Sequence, residues 1–108
     1  MVQNFSGKLY LRPLEALLQL RVRFEVEQGQ IFKFTVQLEY DWDGWKAVVR
    51  YDTAHGYAHC DIIHPYGENE KRRMSTQNYN DALQIAVNDL IENRHLYQRR
   101  YEAWLRRQ

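Results

Sequence analysis

The sequence holds a single cysteine, Cys60, among its 108 residues, so no disulfide forms within the chain and a reducing compartment is expected. Apolar runs are short, and none approaches the ~18 residues that cross a bilayer, so no membrane association is expected. The opening residues, MVQNFSGKLYLRP, lack the charged-then-apolar layout of a secretory signal, which points to the cytoplasm. Internal repeats and low-complexity tracts are absent as well, leaving one small domain over 1–108. Net charge is nearly nil, with 15 Lys and Arg against 14 Asp and Glu, but its distribution is uneven. At the C-terminal end Arg94, Arg99, Arg100, Arg106 and Arg107 face only Glu102. An acidic or nucleic-acid partner would meet that tail first.

What the chain does have is alternation. Leu18, Leu20, Val22, Phe24 and Val26 take one parity and Gln19, Arg21, Arg23 and Glu25 the other, the pattern of a half-buried strand. After Glu27-Gln28-Gly29-Gln30 the pattern resumes with Phe32, Phe34, Val36, Leu38 and Tyr40, which makes a hairpin. Asp43-Gly44 predicts a second tight turn, because these residues accept the positive φ that a type I′ turn requires. Setting Trp42 opposite Trp45 puts Ala47, Val49 and Tyr51 on the buried face. A loop over Thr53 to Gly56 then sets Asp52 opposite Tyr57, with Ala58, Cys60 and Ile62 joining that face.

Beyond Pro65 and Gly67, a polar loop precedes a helix capped by Ser75 or Thr76. Leu83, Val87, Leu90, Arg94, Tyr97, Tyr101 and Trp104 recur along it at helical spacing. The expected fold is α+β: a four-stranded antiparallel meander over 18–64 with one long C-terminal helix, 76–107, packed on one face. Residues 1–17 form a separate segment, readable as a short strand, a short helix or both. An unbroken helix of about 45 Å would outrun a sheet about 30 Å long. Unless it breaks near Asn93, its aromatic end overhangs and asks for cover, from a homodimer, another protein or the N-terminal segment.

The densest chemistry lies in RYDTAHGYAHCDIIHP, Arg50 to Pro65, which carries three of the four histidines. The expected register aligns Arg21, Gln37, Arg50 and His59 on the open face, with Arg23, Thr35, Asp52 and Tyr57 as the next row. Gln19, Glu39, Val48 and Asp61 make a third. Histidine suits proton transfer near neutrality. Cleavage of a phosphodiester needs an acid, a base and a cation beside the phosphorus. His55 and His59 fit the first two roles, Arg50 the phosphate clamp, and Asp52 or Asp61 the carboxylate that orients an imidazole. Tyr57 can stack on a base.

A plainer reading stands beside this one: Arg, Asp and His on a solvated sheet face pair with one another across strands. His59 and Asp61 also point the same way, with His55 and His64 in flanking loops, an arrangement that a His/Asp metal site would use. No recognised ligand spacing is matched, so no metal or other cofactor is expected. Cys60 and His64 have the parity of the buried face. In the tail, Arg99 and Arg106, like Arg100 and Arg107, are seven apart and make stripes that can follow phosphates or flank a dimer seam.

The run Arg50-Tyr51-Asp52, followed by His55, His59 and less closely His64, resembles the motif of TumE-type toxins of toxin–antitoxin systems. That motif has Arg, an aromatic, Asp and Asn ahead of a His-rich strand. Here Thr53 stands where the family tends to carry Asn, and the histidines are spaced rather than consecutive. The resemblance implies a small toxin acting on RNA and neutralised by a DNA-binding antitoxin. Two functions are therefore carried forward. One is a toxin-like, metal-independent ribonuclease; the other is a non-catalytic interaction module or accessory subunit that dimerises or docks through its basic, aromatic C-terminal helix.

Overall fold

The computed structural model describes residues 5–107, so the expectations for residues 1–4 and 108 lie outside the described residues. Six strands form one antiparallel sheet in sequence order: β1 (Phe5–Glu15), β2 (Leu18–Glu27), β3 (Gln30–Asp41), β4 (Trp45–Asp52), β5 (His59–Ile62) and β6 (Glu70–Arg73). Two helices follow, α1 (Tyr79–Glu92) and α2 (Arg94–Leu105).

The class is as expected, but the four-stranded sheet and the single helix are both corrected. The segment before residue 18 is largely a strand, with Leu9 opposite Arg23 and Leu11 opposite Arg21. The loop after Pro65 contains a further strand, with Arg73 opposite His59 and Lys71 opposite Asp61. The helix begins at Tyr79, capped by Asn78, whose side chain accepts from the Asp81 N–H at 3.1 Å. It breaks at Asn93, whose amide bonds the Asp89 carboxylate at 2.7 Å and whose backbone leaves helical angles.

That break removes the overhang. Tyr101 is buried on the core, Tyr97 and Leu105 pack beside it, and the Tyr40 hydroxyl donates to Glu102 at 2.7 Å. Trp104 stacks on His64, with ring centroids 4.3 Å apart. The aromatic stripe is covered from within the chain. No helix of the described residues is long and apolar enough to cross a membrane.

The core lies between the sheet and the helices. Leu20, Val22, Val36, Leu38 and Val49 meet Ala82, Ala86 and Leu90 there. These small and branched side chains let α1 approach the sheet closely. Both tight turns use positive φ, at Gln28 and Gly29 and again at Asp43 and Gly44. The register of β3 with β4 follows expectation from Thr35 to Leu38, but a bulge at Leu38/Glu39 then sets Asp41, not Trp42, opposite Trp45.

Candidate functional site

The open face carries two rows of side chains across the sheet. Leu9, Arg23, Thr35, Asp52, His59 and Arg73 form one, and Leu11, Arg21, Gln37, Arg50, Asp61 and Lys71 the other. This corrects the expected register of β5, in which Tyr57 faced Asp52 and His59 faced Arg50. The connection from β4 is two residues longer than expected, for visible reasons. Thr53 stays with β3, its N–H donating to the Phe34 carbonyl and its hydroxyl accepting from the Phe34 N–H at 3.1 Å. Ala54–Gly56 make a 3-10 turn. The backbone of Ala58 is then taken by the Gln77 side chain and the Met74 N–H, so it cannot pair with β4. A shift by two preserves the face, which is why the same residues still meet.

At the centre of the site, His59 is 1% exposed and sits between two carboxylates. Its Nε2 is 2.8 Å from Asp52 Oδ1, and its Nδ1 is 3.3 Å from Asp61 Oδ1. Asp52 is fixed in turn by the Ala54 N–H, which donates to it at 3.0 Å. The His55 ring stacks over His59 at a centroid distance of 6.4 Å, and Tyr57 tilts against it at 5.1 Å. Arg73 lies 4.8 Å from the Tyr57 ring centre, a cation–π contact. His55 itself is exposed and held at φ 69°, a left-handed conformation that a non-glycine residue adopts only under the constraint of its surroundings. Beside Asp52 a cleft of about 310 Å³ opens, bounded by Arg23, Lys33, Thr35 and Ala54.

A polar network adjoins this cluster. Glu39 is buried, yet accepts from Gln19 at 2.7 Å, from Arg21 at 2.9 Å and from Gln37 at 2.5 Å. Arg50 donates to Gln37 at 2.9 Å, tying the network to the site. Burial pushes the Glu39 carboxyl up, but these donors outweigh it and hold it below the usual carboxylate value. A depressed folded-state value contributes stability that is present above the unfolded value, near 4.5, and is lost as pH falls through the folded one. Glu39→Gln is therefore expected to cost about 1–2 kcal/mol at neutral pH. It should also flatten the loss of stability between pH 5 and pH 3, as read from urea midpoints. An unchanged acid limb would mean that Glu39 does not drive it.

Of the expected site residues, Arg50, Asp52, His55, His59 and Asp61 come together, with Tyr57 against His59. The arginines of the tail differ in their surroundings. Arg94 donates to Glu15 at 2.7 Å, with His95 contacting the same carboxylate, and Arg100 lies over Tyr97 and Trp104. Arg99, Arg106 and Arg107 remain exposed. Lys71 and Arg73 carry the open face's cationic edge, in a segment whose sequence predicts a loop. Glu70-Lys71-Arg72-Arg73 is charged throughout, so no alternation of apolar and polar residues marks a strand there. Cys60 faces the helices instead, and burial pushes its thiol up to about 11, so it is no nucleophile near neutrality.

No curated protein and no solved structure matches the chain. A family model described as a domain of unknown function, DUF7718, matches residues 3–107, and the chain belongs to that family.

Proposed function

We propose that the open face of the sheet binds RNA and cleaves its phosphodiester backbone by proton transfer. The observation that carries this reading is the pair of rows that brings Arg23 and Arg73 level with Asp52 and His59, and Arg21, Arg50 and Lys71 level with Asp61. Arg21, Arg50 and Lys71 stand on alternate strands, about 10 Å apart, and can follow a phosphate chain. Roles divide by exposure. His55 reaches solvent and takes the 2′-hydroxyl proton as that oxygen bonds to phosphorus, the 5′-oxygen leaves and takes a proton from water, and Arg50 steadies the charge that develops on the phosphoryl oxygens. His59, sealed between its carboxylates, is a positioning residue that supports the His55 ring from below. Tyr57 offers an aromatic edge to a base. The likeness to TumE-type toxins adds the expectation of an antitoxin partner.

Incubating the full-length protein with unstructured RNA tests this. His55→Ala and Arg50→Ala are each expected to slow cleavage by about a hundredfold or more. Equal rates in all three proteins sink the assignment. The second reading, an interaction module, is favoured by β1 rather than by the C-terminal helix. Leu9 is 62% exposed, and Leu11 and Tyr10 are exposed beside it, on a strand whose outer edge meets no other strand of the sheet.

A further inference from the structure

We propose that Asp52, His59 and Asp61 bind a divalent transition-metal ion. One ligand atom from each lies within 4.8 Å of the others. Ligands on an ion with bonds near 2.1 Å stand about 3.4 Å apart in a tetrahedral shell, so the carboxylates must turn inward by up to about 1.4 Å to close the set. The cross-strand pair Asp52 and His59, with Asp61 two residues along β5, puts all three on one face.

His59 shows that the set is built to hold something. It is 1% exposed, and neither ring nitrogen has an aligned hydrogen-bond partner among the described residues. Asp52 Oδ1 and Asp61 Oδ1 are close at 2.8 and 3.3 Å but lie off the lines of the N–H bonds. Buried polar groups are rarely left so. Asp61 Oδ1 is in the same position. Arg50 faces Asp61 across the strands, yet turns its Nε to Gln37 at 2.9 Å, so the one ionisable side chain that touches Asp61 among the described residues is His59. An ion on one ring nitrogen satisfies that nitrogen and both carboxylates together.

One imidazole with two carboxylates suits Zn²⁺, a borderline ion, or Mn²⁺, a harder one drawn by the carboxylates, better than Mg²⁺, which keeps its water ligands. The Asp52 and Asp61 side chains are 15% and 14% exposed, and Asp52 borders the cleft, which gives an ion its entry and leaves positions for water. This site goes beyond the ribonuclease reading, in which proton transfer by His55 needs no ion. An ion would fix His59 beneath His55 just as its carboxylates do.

Calorimetric titration of metal-free, full-length protein with Zn²⁺ and separately with Mn²⁺ is the test. One ion per chain is expected for at least one of the two metals. Asp61→Asn and Asp52→Asn should each weaken binding about tenfold or more, while Glu70→Gln, outside the trio, leaves it unchanged. Circular dichroism shows that each variant is folded, which His59→Ala, emptied at a buried position, would not guarantee. Absence of stoichiometric binding, or equal affinity in wild type and both Asp variants, overturns the site. Cleavage assayed with EDTA separates the two ideas: cleavage without binding removes only the metal site, and binding without cleavage removes only the ribonuclease reading.

Discussion

Leu90→Ala is expected to lower stability by about 3–4 kcal/mol, near the middle of the range for emptied leucine sites. Leu90 is fully buried and belongs to the same cluster as Leu38, Val36 and Val49. Those neighbours sit on paired strands whose ladders cannot move inward to fill the space, so a cavity remains. For a domain of this size each kcal/mol shifts the midpoint of thermal unfolding by about 4 °C, so the loss should read as roughly 12–16 °C. Ile85→Ala, on the exposed side of the same helix, is the comparison and should shift it by little. Equal shifts for the two would mean that α1 does not pack as described.

His59→Leu should cost about 3 kcal/mol or more for a different reason. Leucine fills much of the space, but it leaves the Asp52 and Asp61 carboxylates, each less than a fifth exposed, facing one another across an apolar group. Like charges so placed repel, and neither keeps its contact with the imidazole. Adding Asp61→Asn to His59→Leu removes one of the charges and should recover part of the loss. Chemical denaturation of the two single variants and the double variant measures this coupling. Strictly additive effects would show that His59 and Asp61 do not act together.

The hairpin of β2 with β3 was legible because its alternation is strict on both strands and its turn ends in glycine. β1 was hidden by apolar residues of both parities, Leu9 and Leu11 against Tyr10, with Pro13 inside the strand. β6 was hidden by having nothing apolar at all. The helix break depends on the bond between Asn93 and Asp89 and on the fold of α2 over β4, and neither disturbs the helical spacing. At the candidate site, parity alone placed Arg50, Asp52, His59 and Asp61 on one face. Burial was not readable. It follows from Tyr57 and His55 lying over His59, which the longer loop permits and the shorter expected loop would not.

The meander order has a consequence for how the site arises. Asp52, His59 and Asp61 all lie on one hairpin, within ten residues of sequence. Their assembly therefore requires only a short loop to close, an event of low entropic cost that can occur early and locally. A chain whose reactive groups come from distant segments must finish folding before they meet. Here the groups travel as a unit, so sequence change in the first three strands can proceed with the cluster kept whole, whereas a one-residue slip of β5 against β4 would part Asp52 from His59 and Asp61.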